Sequence, residues 1–202
     1  MSTIQTAAPV IPFRQSRTYG GLQDALRDKR RARQLYLDAA RTLTEDGQQV
    51  IAHAFRFTAA QEGEHAAILA QMADAPADAP PACPDTPSTA QEALAAALER
   101  ESACAQELFP AAAREAEAAR QPRAAAALRR IAENEAQHAR RLAQYSAALA
   151  DGSLFCSATP VSWVCLACGG LQHGCHAPAS CEGCGASGGH FIRSSFHPFA
   201  LS

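Results

Sequence analysis

Residues 131–141 read IAENEAQHARR and residues 62–66 read EGEHA, and each stretch holds a glutamate followed three positions later by a histidine: Glu135 with His138, Glu62 with His65. The setting of these pairs decides the fold. Stepping outward from Glu135 and His138 by alternating threes and fours collects Leu128, Ile131, Leu142, Tyr145 and Leu149; the same walk from Glu62 and His65 collects Ile51, Phe55, Thr58, Leu69 and Met72. Such spacing marks the buried face of an α-helix, so both pairs fall where core residues belong. Two more stripes share this character. One runs Leu22, Ala25, Lys29, Ala32, Tyr36, Ala39, Leu43, the other Leu94, Ala97, Glu101, Cys104, Leu108, Ala111. Each is apolar except near its middle.

The punctuation between stripes sets the topology. Gly47 ends the first helix, five prolines from Pro76 to Pro87 forbid helix and mark a long crossover, and Ser88 or Thr89 can cap the third helix. Pro110 is expected to bend that helix or remove one of its hydrogen bonds, Pro122 opens the fourth, and Asp151 with Gly152 closes it. Short connections within each helix pair and one long crossover between the second and third helices describe an all-α ferritin-like four-helix bundle, up-down-down-up. The expected organisation is a flexible arm over 1–20, the bundle over 21–150, a linker over 151–160 and a small module rich in Gly, Cys and His over 161–202.

Composition agrees. Of 202 residues 48 are alanine, the strongest helix former, and only 34 are Val, Ile, Leu or Phe. That scarcity of β-branched residues excludes a large sheet. Net charge is −2 without a basic block, and Arg193 is the one Lys or Arg in 161–202, which removes the electrostatic case for nucleic acid or a membrane surface. No apolar run reaches the roughly 18 residues of a membrane span. The patch Ala7–Phe13 is broken by Pro9 and Pro12 and fails as a signal peptide. The expected location is the cytoplasm, where grouped cysteines suggest metal rather than disulfides.

Three carboxylates at similar depth in a core are costly unless a positive partner is present. Metal ions supply one. Glu-x-x-His sets a carboxylate and an imidazole one turn apart on one helix face, where both can reach the same ion, and two such helices in a bundle form a carboxylate-bridged metal site. Glu62, His65, Glu101, Glu135 and His138 are the candidate ligands.

The tail carries a second site. Cys165, Cys168, Cys181 and Cys184 form two C-x-x-C pairs twelve residues apart, the pattern of two knuckles that offer four thiolates to one tetrahedral ion. Gly169 and Gly185 follow the knuckles, where a tight turn is expected to aim backbone N–H groups at sulfur. The spacing serves iron or zinc alike. Trp163 and Phe191 are expected to pack a module too small to fold without its metal, while Cys175, His173, His176, His190 and His197 are spare.

With ERESACAQELFP at 99–110, WVCLACGGLQHG at 163–174 and APASCEGC at 177–184 added to the first two stretches, residues 24 to about 193 resemble the rubrerythrin family in order and spacing. The resemblance implies di-iron ligand positions at Glu62, His65, Glu101, Glu135 and His138, with Glu62 and Glu135 bridging or sharing metal, Glu101 terminal and the histidines as nitrogen ligands. It implies reduction of hydrogen peroxide to water, with electrons delivered by iron in a rubredoxin-like module. A homodimer supplying the tail in trans and an external reductase as donor are further implications. Two positions depart from the family. Aligning Arg33 and Tyr36 with its R-x-x-Y places Lys29 where the first helix should give a glutamate ligand, and Cys104 stands where the third should give the second glutamate of an E-x-x-E pair.

Lys29 is the one lysine beside 17 arginines. On the inward stripe its ammonium is expected to fill part of one metal position, leaving one or two iron ions in the bundle; the alternative is a lysine whose amine escapes to solvent. Cys104 is a small hydrophobe, a soft ligand or a thiol open to peroxide. Tyr36 either hydrogen-bonds a bridging carboxylate or packs as a core residue. Gly63 implies close packing against a neighbour. Against the enzyme stands a second reading, a non-catalytic metal-binding protein with a degenerate bundle site and a structural zinc ribbon.

Overall fold

The computed structural model of the chain describes residues 13–76 and 89–196. Residues 1–12 of the expected arm, the crossover from 77 to 88 with Cys83, and His197 lie outside the described residues. Among the described residues five α-helices build the bundle: α1 (Arg17–Glu45), α2 (Gln49–Ala73), α3 (Ala90–Ala103), α4 (Phe109–Ala118) and α5 (Pro122–Ala150). Helix α1 packs along α2, while α3 and α4 together form the third rod of the bundle and pack along α5. Among the described residues no helix is long and apolar enough to cross a membrane.

The ends follow from local chemistry. Ser16 is extended and its hydroxyl accepts the N–H of Tyr19, which starts α1 at Arg17 and takes the last residues of the expected arm into the bundle. Thr89, one of the two expected candidates, caps α3 in a reciprocal box with Glu92. Pro122 lies in the first turn of α5, where its missing N–H costs nothing.

The third rod differs from expectation. Residues Cys104–Leu108 form one turn of π-helix, with the N–H of Phe109 bonded to the carbonyl of Cys104. The extra residue in that turn rotates everything after it. Leu108 (40% exposed) and Ala111 therefore leave the inward face, and Phe109, Ala113 and Ala116 occupy it. Pro110, just beyond the wide turn, sits at the start of α4; the helix accommodates it through this turn.

The core has two apolar halves. One joins Tyr36, Leu43, Ile51, Phe55, Leu94, Leu142 and Tyr145; the other joins Leu22, Leu26, Leu69, Phe109, Leu128 and Ile131. Along every rod the two sets are separated by the polar positions Lys29, Glu62 and His65, Glu101, or Glu135 and His138, so a polar layer crosses the bundle at mid-height. Gly63 has its reason here: a Cβ at this position would lie 3.2 Å from Nε of Arg33, whose side chain crosses α2 at that point.

The tail is a three-stranded antiparallel sheet in the order β2-β1-β3, from β1 (Cys156–Cys165), β2 (Leu171–His176) and β3 (Phe191–Arg193). Strand β1 begins inside the expected 151–160 linker, which shortens to a few residues around a 3-10 turn at Ser153–Phe155. The module rests on one end of the bundle. Leu154 and Ile192 join the apolar half that contains Tyr145, and Gly189 approaches the α1–α2 turn so closely that a Cβ there would meet the carbonyl oxygen of Gly47 at 2.7 Å.

Candidate metal centres

In the polar layer Lys29, Glu62, Glu101 and Glu135 are 0% exposed, His138 1% and His65 5%. Glu62, Glu101, Glu135 and His138 each bring one donor atom within 4.8 Å of the others. Nδ1 of His138 is 3.0 Å from Oε1 of Glu62 and 3.2 Å from Oε2 of Glu101. His65 stands beside this group. Its Nδ1 lies 3.0 Å from Oε1 of Glu135, its Nε2 is 3.2 Å from the side-chain amide of Asn134, and its ring stacks on that of His138 at 5.7 Å.

Lys29 reaches the same carboxylates from α1. Its Nζ is 2.9 Å from Oε2 of Glu62, donates a hydrogen bond to Oε2 of Glu135, and lies 5.0 Å from the centre of the Phe109 ring. The amine therefore does not reach solvent. Tyr36 donates its hydroxyl to Oε1 of Glu101, which makes it a positioning residue for that carboxylate. Cys104 is buried, with Sγ 3.5 Å from Oδ2 of Asp28, and burial pushes its thiol pKa up. It is held as a protonated donor to Asp28, not as a reactive thiolate.

The charges are strongly perturbed. Burial together with the Glu62 charge raises Glu135 to about 9. Burial alone would raise Glu101, but hydrogen bonds from His138 and Glu135 and the Lys29 charge bring it down to about 2. Burial lowers His65 to about 4. It would do the same to His138, yet the Glu101 and Glu62 carboxylates outweigh it and raise that imidazole to about 9. Protons on His138 and Glu135 thus do part of the neutralising that a cation would do.

The donor set fits a divalent cation. Both oxygens of Glu62, Oε1 of Glu135 and Nε2 of His138 are buried without an aligned hydrogen bond, although ion-pair distances join the carboxylates to Lys29 and the imidazoles. Three carboxylates and a histidine nitrogen are ligands suited to iron, manganese or zinc.

The four cysteines of the tail converge from the two knuckles. Sγ of Cys165 is 3.8 Å from that of Cys184, and Sγ of Cys168 is 3.6 Å from that of Cys181. Metal–sulfur bonds of about 2.3 Å in a tetrahedron place sulfurs about 3.8 Å apart, so this set also fits its ion. Gly169 and Gly185 have φ near +77° and +75° as the turns require. Their N–H groups bond to the carbonyls of Cys165 and Cys181 instead of to sulfur. In the second knuckle N–H groups of Cys184 and Gly183 point at Cys181 and bring its pKa down to about 7, and the N–H of Ala186 points at Cys184. Trp163 and Phe191 form the small core against Cys165 and Cys181.

Asp28, Asn134 and Phe109 belong to the surroundings of the bundle centre without having been singled out from sequence. Asp28 and Asn134 are the chain neighbours of Lys29 and Glu135, and adjacency was their signal. Phe109 enters only through the π-helical turn.

A family model described as Rubrerythrin matches residues 21–146. A rubrerythrin of Porphyromonas gingivalis (strain ATCC BAA-308 / W83) is 33% identical over 174 residues, covering 84% of this chain and 86% of the relative. Nigerythrin in a mixed-valence state superposes with a TM-score of 0.60 at 22% identity, covering 94% of this chain and 90% of the other. The fully reduced, all-ferrous form of nigerythrin gives 0.62 at 21%, covering 94% and 91%. At that level of identity, the two superpositions speak for the shared fold.

Proposed function

The chain belongs to the rubrerythrin family, and from that premise we propose that it reduces hydrogen peroxide to water in the bundle, with electrons relayed through iron in the four-cysteine module. The observation that carries this reading is the co-occurrence, in one chain, of a buried carboxylate and histidine cluster and a set of four cysteine sulfurs within 4.8 Å of one another. Iron bound at these two places supplies reversible one-electron chemistry. Reduction of one peroxide to two waters consumes two electrons and two protons, so electrons arrive in two steps from an external reductase.

The chain's own residues set the conditions. Glu62, Glu101, Glu135 and His138 hold the bundle ion, and Tyr36 fixes the orientation of Glu101 through its hydroxyl. The apolar halves above and below keep bulk water from the layer. A surface pocket of about 570 Å³ is lined among others by Asp28, Arg100, Cys104 and Leu108, and Asp28 lies 3.7 Å from Nζ of Lys29, so the pocket offers a small oxidant an approach to the layer. A homodimer that presents the tail of one chain to the bundle of the other, in the cytoplasm, completes the proposal.

Anaerobic purification with metal analysis and a visible spectrum tests it. The red colour of a ferric tetrathiolate site, bleached by reductant and restored by stoichiometric peroxide, is the expected result; a colourless protein holding one zinc per chain would favour the non-catalytic reading, to which Lys29 in the carboxylate cluster gives specific support.

A further inference from the structure

We infer that the bundle centre holds a single metal ion, and that the Lys29 ammonium stands permanently in the place of a second. This rests on the metal-binding reading of the polar layer given above.

Glu62 and Glu135 are the two carboxylates placed to be shared between neighbouring cations, since a bridging carboxylate offers one oxygen to each. Here the division is already made. Oε2 of Glu62 is 2.9 Å from Nζ of Lys29, and Oε2 of Glu135 accepts a hydrogen bond from the same Nζ. The other oxygens face the imidazoles: Oε1 of Glu62 lies 3.0 Å from Nδ1 of His138, and Oε1 of Glu135 lies 3.0 Å from Nδ1 of His65. One ammonium has one oxygen of each carboxylate, and the second set remains for one ion beside Glu101 and His138.

The ammonium has nowhere else to go. Lys29 is 0% exposed, its Nζ sits against the Phe109 ring, and Leu26 and Leu22, one and two turns back along α1, lie in the apolar half of the core. Among the described residues its side of the layer also lacks a spare anion for a second ion. Asp28 is the nearest further carboxylate, 3.7 Å from Nζ, and it is engaged by the guanidinium of Arg100 and by the thiol of Cys104. The electrostatic count agrees: three carboxylates contribute −3, Lys29 +1 and one divalent ion +2, which sums to zero, whereas two divalent ions would leave +2 in a buried site until hydroxide or another anion joined them. His65 then serves as a positioning residue for Glu135, anchored on its far side by Asn134.

The experiment loads the full-length protein anaerobically with excess ferrous iron, removes unbound metal and counts iron per chain, with Mössbauer spectra separating tetrathiolate iron from oxygen- and nitrogen-bound iron. We expect one oxygen- and nitrogen-bound iron per chain, which after oxidation behaves as an isolated high-spin ferric ion without exchange coupling. Lys29→Glu should double the bundle iron to two and introduce that coupling. Two coupled bundle irons in the unaltered protein overturn this inference and leave the proposed function standing; no bundle iron overturns both. A folded Lys29→Glu protein that still takes one ion removes Lys29 as the cause, and if that variant does not fold, the count and coupling in the unaltered chain decide alone.

Discussion

The two metal-binding clusters of this chain meet the same problem, several anions brought close together inside a protein, with different resources. At the bundle centre a lysine and protonatable imidazoles lie among the carboxylates, and large apolar clusters hold the helices together above and below. In the tail module four sulfurs face one another, and the core behind them amounts to Trp163, Phe191 and the cysteines Cys165 and Cys181 themselves. A scaffold with its own core and its own cation folds first and takes metal afterwards. One that lacks both folds only as metal binds.

The largest effect that can break this contrast is chelation. Trp163 is the one tryptophan of the chain and is fully buried in the module, so its fluorescence reports that region alone. Stripping metal, or replacing Cys165 and Cys181 by serine, is expected to shift Trp163 emission to the red while the helical circular dichroism falls by no more than about a tenth. Simultaneous loss of both signals would show that the bundle also depends on metal.

Next comes Lys29→Met in the metal-free protein. It leaves Glu62, Glu101 and Glu135 without their built-in cation, and denaturant unfolding should show a loss of about 3–5 kcal/mol, the scale on which one partner of a buried ion pair is missed. Excess divalent metal should recover most of it. An unchanged midpoint would mean that protons on His138 and Glu135 neutralise the layer unaided.

A smaller effect is expected from pH. His138, at about 9 in the fold against about 6.5 free, contributes stability that is complete below pH 6.5 and lost as pH rises through 9. Glu135, raised to about 9 from 4.5, acts in the same direction; His65, lowered to about 4, opposes it only below pH 6.5. The metal-free bundle should therefore melt at progressively lower temperature from pH 6.5 to 9, and a flat or rising profile would contradict protonation of the layer. The smallest effect is the control: Thr89→Ala removes the capping box of α3, remote from both metals, and should cost about 1 kcal/mol equally with and without metal.

Much of the bundle was legible because its stripes are long and its polar interruptions lie at one height. Periodicity carries that information wherever helices are regular. It fails at the π-helical turn, where one extra residue moves Leu108 and Ala111 outward and Phe109 inward; Pro110 announced an irregularity there without saying which of several remedies the helix uses. Contacts between helices were legible only as possibilities. Arg33 lying across Gly63, Asp28 shared by Arg100 and Cys104, and Asn134 behind His65 depend on how the rods face one another, which no single stripe records. In the module the cysteine spacing marked the knuckles, but which N–H groups turn toward sulfur depends on turn geometry finer than spacing alone.

Lys29 has one more consequence, in the economy of metals. A cation carried on the polypeptide cannot be chelated, exchanged for a competing ion or withheld when iron is scarce. On the single-ion reading, the positive charge the cluster requires beyond its first ion is thus met in full at translation, and errors of metallation in the bundle are confined to a single position.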